Sequence, residues 1–261
     1  MSGIEAFLDR FKFDPKRAFN VGVERECFVA DEQGQIVPQA HEVLAHIKEK
    51  SLSPTFKQSV GYELSACQVE VRTPPCHMEK LCDELYSQDR ELSASMAQLG
   101  YTPLFLEVAP ASMPLDVYPD PTGRYASMTK GMPREVLLAA CRVIGTHVHV
   151  GMPDAETALR VYNRVIEECD TLCRKGDGSF GERLEIYKIM EPNPIPMPFE
   201  DWQNFFETAV EKGFAEDPRK CWKLIRISSH GTIEFRMFGA TNSVPQILSW
   251  AMFCHDLCRK A

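Results

Sequence analysis

Two histidines separated by a single residue lie in the stretch Gly145-Thr-His-Val-His-Val-Gly151. Because successive side chains of a β-strand alternate faces, His147 and His149 should point to one side, with Val148 and Val150 on the other. The valines suit a hydrophobic core, and the imidazoles would face whatever lies opposite. An isolated pair of this kind is typical of a structural strand or a transition-metal site.

Three other segments repeat this alternation with charged residues. The segment 21–29 places two glutamates on one face, and the segments 68–73 and 232–238 each place a glutamate and an arginine on one face. Any one of these patterns is typical of a solvated face or a cross-strand ion pair. Their recurrence predicts that four strands lie in one sheet and turn their polar sides the same way; the polar residues are Glu24, Glu26, Glu70, Arg72, His147, His149, Glu234 and Arg236.

The shared polar face would gather five carboxylates and two imidazoles, once Glu63 is included. Since Glu63 and Glu70 are an odd number of residues apart, the chain must bend between them if both face one site. So many like charges require protonation or bound cations. Hard divalent ions such as Mg²⁺ or Mn²⁺ prefer carboxylate oxygens and accept an occasional imidazole. Nearby arginines suit a phosphoryl group; they are Arg72, Arg226 and Arg236.

Length and composition favour a single globular domain. The chain has 261 residues, of which 44% are hydrophobic and 25% charged, which is ordinary for a globular protein. The net charge of −8 argues against a nucleic-acid partner. It does not exclude ATP binding, because a bound metal ion can supply positive charge locally. No apolar run is long enough for a membrane span, and the N-terminus lacks a signal-peptide layout, so we expect a cytoplasmic protein without a membrane partner.

Ten cysteines are scattered along the chain. Two i, i+4 pairs, Cys169/Cys173 and Cys254/Cys258, make a structural zinc site conceivable. Their spacing matches no Cys-x-x-Cys pattern, so buried free thiols that act as small hydrophobic groups are the preferred interpretation.

Periodicity and turn residues predict an α+β fold. Helices are expected over 39–50, 77–99, 155–173, 199–213 and 245–259, with Val210 facing inward in the fourth. Extended segments are expected over 20–30, 55–73, 103–108, 145–151, 222–228 and 232–238, and residues 134–143 form either a helix or a strand. Residues 109–123 form a long loop, which in a compact domain is usually functional or mobile. The helices are not in regular alternation with the strands, so a largely antiparallel sheet is expected.

Several segments resemble, in the same order along the chain, glutamate–cysteine ligase family 2, the carboxylate–amine ligases of the glutamine synthetase superfamily. The matching stretches are Gly22-Val-Glu-Arg-Glu-Cys-Phe28, Ser65-Ala-Cys-Gln-Val-Glu-Val-Arg-Thr-Pro-Pro-Cys76, Thr146-His-Val-His-Val-Gly151 and Gly231-Thr-Ile-Glu-Phe-Arg236. The resemblance implies one catalytic domain over 1–261, with a curved antiparallel half-barrel sheet and helices on its outer face. It implies that ATP phosphorylates a carboxylate, often the γ-carboxylate of glutamate, and that an amine attacks the acyl phosphate.

The resemblance also implies roles for individual residues. One Mg²⁺ would be held by Glu26, Glu63 and Glu70. A second Mg²⁺, on the phosphate side, would be held by Glu24, His147 and Glu234. The ATP phosphates would contact His149, the transferred phosphoryl group would be stabilised by Arg226 and Arg236, and the substrate carboxylate would bind Arg72. Small-molecule substrates and a homo-oligomer are the implied partners.

Two departures from the family pattern make this chain resemble a shortened member. The passage 172–183 is abbreviated, and Gly178-Ser-Phe-Gly-Glu-Arg183 resembles a remnant of a family motif, which makes Arg183 a further phosphate or substrate contact. The chain continues for about one helix after Arg236. Two other functions remain open: a non-catalytic paralogue that binds a nucleotide or an amino acid, and a zinc hydrolase that uses His147, His149 and carboxylates.

Overall fold

An open antiparallel sheet is the centre of the fold. A computed structural model describes residues 3–261. The strand order is β2-β3-β1-β5-β7-β6, and β4 pairs with the C-terminal end of β1. The strands are β1 (Val21–Ala30), β2 (Val60–Tyr62), β3 (Gln68–Arg72), β4 (Thr102–Leu104), β5 (Gly145–Gly151), β6 (Ile225–Ser228) and β7 (Thr232–Gly239).

Helices fill the connections between the strands. They are α1 (Gly3–Leu8), α2 (Ala40–Lys50), α3 (Pro54–Ser59), α4 (Met78–Ala97), α5 (Arg124–Thr129), α6 (Arg134–Arg142), α7 (Ala155–Val165), α8 (Cys169–Gly176), α9 (Glu182–Met190), α10 (Trp202–Glu211) and α11 (Val244–Lys260). Short 3₁₀ turns cover Pro15–Arg17, Ile166–Glu168 and Pro218–Lys220. No helix within residues 3–261 is long and apolar enough to cross a membrane.

The four strands with alternating polar residues are adjacent, as predicted. Strands β3, β1, β5 and β7 follow one another in the sheet. Their register aligns the charged groups across neighbouring strands: Glu24 with Arg72 and His147, Glu26 with Glu70, and His149 with Glu234. The predicted α+β architecture with an antiparallel sheet is therefore confirmed.

The opposite face of the sheet carries the hydrophobic core. Val23, Val148 and Val150 are buried there, together with Ile233 and Phe235 of β7. Helices α4, α7 and α11 pack on this face against β1, β5 and β7. Because valine alternates with glutamate or histidine along β1 and β5, each of these strands faces the core on one side and the polar site on the other.

A buried ion pair ties the sheet to the helix layer. Arg25 lies on β1 between the two glutamates and points to the helix side, where its side chain is only 2% exposed. Its Nη1 donates to Oδ1 of Asp89 on α4 at 2.6 Å. The neighbouring Gln88 donates through Nε2 to the backbone carbonyl of Arg72 at 2.8 Å. Helix α4 therefore holds β1 and β3, the strands that carry three of the predicted site glutamates.

Two predicted extended segments differ from the structure. Residues 54–59 form helix α3 rather than an extended segment, because Pro54 occupies the first turn and Ser53 Oγ accepts a hydrogen bond from the Phe56 amide. The segment 103–108 pairs with β1 only through β4 and is partly exposed, and beyond β4 its Val108 bridges Val143.

Some helix predictions were inaccurate. Val210 is 57% exposed on the solvent side of α10, whereas Phe205 and Ala209 form its buried side. The predicted helix over 155–173 is divided into α7 and α8 by a 3₁₀ turn. Residues Arg134–Arg142 form helix α6, which is one of the two alternatives predicted for this segment. Helix α9 was not predicted at all, because its apolar residues show no clear helical stripe.

The buried ion pair generates a stability prediction. Replacing Asp89 with alanine leaves the Arg25 guanidinium buried without its counter-charge, which should lower the free energy of unfolding by about 3 kcal/mol. Urea unfolding followed by circular dichroism measures this change. As a control, Glu167→Ala removes the exposed pair with Arg164 and should cost less than about 1 kcal/mol. Equal effects of the two substitutions would contradict the prediction.

Candidate active site

A cavity of about 1150 Å³ opens on the polar face of the sheet. Every residue that the sequence predicted for the site lines it. These residues are Glu24, Glu26, Glu63, Glu70, Arg72, His147, His149, Arg183, Arg226, Glu234 and Arg236. The structure therefore places the predicted residues in one cavity, and their individual roles stay predictions.

The first cluster of possible metal ligands consists of Glu26, Glu63 and Glu70. One carboxylate oxygen from each lies within 4.8 Å of the others. Glu63 reaches the cluster because the chain bends between β2 and β3, where Ser65 bridges Val117. This bend is the one expected from the odd number of residues that separates Glu63 from Glu70.

The acid–base properties of this cluster follow from burial and like charge. Burial and the neighbouring Glu26 raise the pKa of Glu63 to about 7. Burial, with Glu24 and Glu63 nearby, raises the pKa of Glu70 well above its ordinary value. Such carboxylates need either a proton or a cation, and an all-oxygen ligand set fits a hard divalent ion such as Mg²⁺ or Mn²⁺.

The second cluster combines Glu24, His149 and Glu234, whose ligand atoms also lie within 4.8 Å of one another. His147, the expected imidazole ligand, lies next to this cluster, with its Nδ1 3.4 Å from Oε2 of Glu24. A register shift between Thr146 and Val148 takes His147 out of line with β7, whereas His149 stays directly opposite Glu234. The structure thus brings His149 into the ligand group, and the role of His147 as the ligand stays a prediction.

Two arginines neutralise the carboxylate of Glu234. Arg226 donates through Nε to Oε2 at 2.7 Å and through Nη2 to Oε1 at 3.0 Å, and Arg236 donates through Nη1 to Oε1. Burial alone would raise the pKa of Glu234, but Arg226 and Arg236 lower it far below the ordinary value. Burial likewise opposes ionisation of Glu24, but the charge of His149 and the hydrogen bonds with His147 and His149 together lower its pKa. Glu24 and Glu234 are thus held ionised, and both can act as anionic ligands.

The remaining two arginines differ in their surroundings. Arg72 is half-exposed at the cavity wall, where Nη1 lies 2.9 Å from Oε1 of Glu70. Arg183 is buried and donates to three backbone carbonyls, those of Ile144 at 2.9 Å, Met237 at 3.0 Å and Arg236 at 3.3 Å. These bonds hold the start of β5 against β7. Arg183 therefore supports the sheet, and its contact with phosphate stays a prediction.

Three tyrosines form an aromatic wall that sequence reasoning missed. Tyr62 and Tyr118 stack with ring centroids 4.6 Å apart, and Tyr125 packs edge-on against Tyr62 at 5.9 Å. Asp120 anchors the segment that carries Tyr118 and Tyr125, because its Oδ2 accepts a hydrogen bond from the Tyr125 backbone N–H at 2.7 Å. Part of the predicted functional loop is thus folded against the site.

Cationic residues also lie around the cavity, although the chain as a whole is acidic. They are Lys48, Lys57, Arg124, Arg219 and Lys220. They come from helices α2, α3 and α5 and from the 3₁₀ turn Pro218–Lys220. No spacing pattern links them, so the sequence offered no signal for this group.

The cysteines take no part in either cluster. All ten are free thiols, and Cys169, Cys254 and Cys258 are buried. Within residues 3–261, the two groups of possible metal ligands contain only glutamate and histidine. The burial of Cys169, Cys254 and Cys258 agrees with their interpretation as small hydrophobic groups.

Comparison with known proteins places the chain in a family. The model of glutamate–cysteine ligase family 2 matches residues 20–172, which is more than half of the chain and includes β1, β3 and β5. The chain belongs to glutamate–cysteine ligase family 2. The resemblance noted from the motifs is therefore confirmed.

Individual relatives of this family are distant and longer. A glutamate–cysteine ligase from Natronomonas pharaonis is 27% identical over 237 residues, which cover 84% of this chain and 64% of the relative. A relative from Gloeobacter violaceus is 26% identical over 260 residues, which cover 91% of this chain and 67% of the relative. The chain thus spans about two thirds of the length of these relatives.

Solved structures share the fold. A bifunctional glutathione synthetase from Pasteurella multocida superposes with a TM-score of 0.64 at 12% identity, covering 97% of this chain and 40% of that protein. A glutamate–cysteine ligase from Francisella tularensis, solved with AMP, gives 0.58 at 14% identity, covering 94% of this chain and 68% of that protein. The chain therefore shares its fold with these two proteins, in agreement with the α+β architecture expected from the motifs.

The raised pKa of Glu63 predicts a pH-dependent stability. Between pH 4.5 and about 7 the folded carboxyl stays protonated while the unfolded one ionises, so this group should make the metal-free protein less stable as pH rises through that range. Urea unfolding in the presence of a chelator, compared between the wild type and Glu63→Gln, isolates this contribution. The variant should lose less stability over the range, and added Mg²⁺ should reduce the loss in the wild type. An identical pH profile for both proteins would contradict the prediction.

Proposed function

We propose that this protein is an ATP- and Mg²⁺-dependent carboxylate–amine ligase that activates the γ-carboxylate of glutamate as an acyl phosphate and transfers it to an amine. The observation that carries the proposal is the pair of metal-ligand clusters beside Arg226 and Arg236 in one cavity. Membership of glutamate–cysteine ligase family 2 supports the same activity.

The two clusters would hold two Mg²⁺ or Mn²⁺ ions. Glu26, Glu63 and Glu70 supply three carboxylates, and the second cluster supplies two carboxylates and the imidazole of His149. Bound magnesium would neutralise the charge of the ATP phosphates. The chain's own contribution is to hold the ligands on neighbouring strands, so that little rearrangement is needed when the ions bind.

The arginines are arranged to act on phosphate. Arg226 and Arg236 both contact Glu234, a ligand of the second cluster, so their guanidinium groups lie beside the place where phosphoryl charge would develop. Fixed donors at such a place stabilise the transition state more than the ground state. Arg72 lies beside Glu70 of the first cluster, at the cavity wall, and would contact the carboxylate substrate.

The cavity is large enough for two substrates. Its volume of about 1150 Å³ exceeds the roughly 300–1,000 Å³ of ordinary small-molecule sites, which suits a nucleotide together with an amino acid. The cationic residues around it would attract anionic substrates to a protein whose net charge is −8. The hydrolase alternative expected His147 and His149 to share a zinc ion, and only His149 belongs to a ligand cluster in the described residues 3–261.

The experiment that tests the proposal is a screen of amines, with cysteine included, in the presence of ATP, Mg²⁺ and glutamate. We expect release of ADP that requires both glutamate and one of the amines, and a product whose mass equals their sum minus water. Nucleotide binding without amine-dependent release of ADP would instead support the non-catalytic paralogue. Metal retained through dialysis, with no requirement for ATP, would support the hydrolase.

Substitution of one ligand from each cluster should abolish activity without unfolding the protein. Glu70→Gln and Glu234→Gln keep the side-chain shape and remove a ligand charge, so each should lower the rate of ADP formation by on the order of 100-fold or more. Glu70→Gln should also stabilise the metal-free protein, because it relieves repulsion with Glu24 and Glu63. The exposed Glu167→Gln is the matched control. Normal turnover by both ligand variants would refute the assignment of the site.

A further inference from the structure

A phenylalanine side chain projects into solvent from the loop between α8 and α9. Phe180 is fully exposed, and it does not line the active-site cavity. Its φ of +55° lies in the left-handed region, which is unfavourable for a bulky residue. Single exposed hydrophobic residues are ordinary on protein surfaces. The combination of full exposure with backbone strain, however, indicates a functional reason for this side chain.

Hydrogen bonds hold the loop on both sides of Phe180. Oδ1 of Asp177 accepts the backbone N–H of Ser179 at 2.9 Å, and Oδ2 of the same residue accepts the backbone N–H of Gly181 at 2.6 Å. The loop is therefore ordered by its own contacts. A side chain that is presented by an ordered loop loses less conformational entropy when it binds a partner.

A largely apolar cavity of about 340 Å³ lies between α8 and α11. Its floor contains the buried rings of Phe238 and Trp250, which stack with centroids 4.9 Å apart. The Nε1 of Trp250 donates to the backbone carbonyl of Lys175 at 3.1 Å and so fixes α11 against α8. The cavity is thus formed before any partner binds. The residues with exposed or half-exposed side chains around it are Lys175, Gln246, Ser249 and Phe253.

The Phe180 loop and this cavity are neighbours on the surface. The loop follows directly on α8, whose Lys175 lines the cavity. The backbone N–H of Gly178 donates to Oε1 of Glu107 at 2.9 Å. The same carboxylate lies against Gly239, where an added Cβ would collide with it, and the preceding residue belongs to the cavity floor. A projecting ring and an apolar cavity therefore lie side by side.

The charges beside the two features have opposite signs. Arg174 and Lys175 are exposed next to the cavity, whereas Asp177 and Glu182 are exposed next to Phe180. If two copies of the chain face each other around a twofold axis, the acidic part of one surface meets the basic part of the other. Such charge complementarity favours a second copy of the chain as the partner.

We propose that this surface binds a second copy of the chain in a twofold-symmetric dimer, with Phe180 of each copy inserted into the cavity between α8 and α11 of the other. Each dimer then contains two identical contacts, as an isologous interface requires. Exposed Leu106, next to Glu107, and exposed Met252, next to Phe253, would extend the buried area towards the roughly 1,200 Å² of a stable interface. The association needs neither metal nor ATP, so it is independent of the proposed ligase activity.

Sedimentation velocity of the purified protein over a range of micromolar concentrations tests the proposal. The wild type should sediment as a dimer. Phe180→Ala should raise the dimer dissociation constant by roughly 100-fold or more, because each dimer loses two buried aromatic anchors. The matched control is Leu52→Ala, which removes another fully exposed apolar side chain, in the connection between α2 and α3, and should leave the dissociation constant unchanged.

A mixture of two variants tests whether the two contacts are exchanged between copies. Ser249→Trp places a large side chain at the cavity and keeps Phe180, whereas Phe180→Ala keeps an open cavity. Each variant alone should be monomeric at a concentration where the wild type is dimeric. Their mixture should form heterodimers that keep one intact contact and have an intermediate dissociation constant, which native mass spectrometry detects because the two variants differ in mass.

Three results would overturn the proposal. They are a wild type that is monomeric at every concentration, a dimer whose dissociation constant neither variant changes, and a mixture of the variants that shows no heterodimer. A monomeric wild type would leave this surface to a different partner. Both altered side chains are exposed, so the variants should fold, and circular dichroism checks this. Because no measurement uses ATP, a protein without ligase activity can still pass this test.

Discussion

Electrostatic repulsion among the carboxylates on one face of the sheet is the constraint on which the rest of the structure depends. Five glutamates converge on one cavity, and burial makes their ionisation more costly. The charge is neutralised differently in the two clusters. Glu63 and Glu70 need protons or a cation, whereas arginines and histidines already neutralise the negative charges of Glu234 and Glu24. The buried carboxylates of the first cluster therefore favour the binding of a proton or a cation before any substrate binds.

The sheet tolerates these charges on one face because the opposite face is packed against the helices. The buried valines of β1 and β5 hold these strands against the helix layer, and the ion pair between Arg25 and Asp89 ties β1 to α4. Arg183 holds β5 to β7 through backbone carbonyls, close to the place where the register shifts. Alternate residues of the same strands thus supply the charged site on one face and the hydrophobic core on the other. This alternation is why the site residues can be recognised in short sequence motifs.

The sequence predicted those features that depend on local alternation, and it failed where tertiary contacts decide. The four adjacent strands, the shared polar face and the bend before Glu70 follow from side-chain parity alone. That His149 rather than His147 lies directly opposite Glu234 depends on a register shift in the pairing of β5 with β7, which no single strand encodes. The aromatic wall and the cationic residues around the cavity come from loops and helices that are distant in sequence, so no spacing pattern could reveal them.

Diffraction from crystals grown with Mn²⁺ and a non-hydrolysable ATP analogue tests the central claim most directly. We predict two anomalous peaks in the cavity, with the nucleotide phosphates next to Arg226 and Arg236. One metal ion should be bound by Glu26, Glu63 and Glu70, and the other by Glu24, His149 and Glu234. Peaks bound elsewhere on the protein, or a cavity without metal in which the glutamates pair only with arginine and histidine, would contradict it.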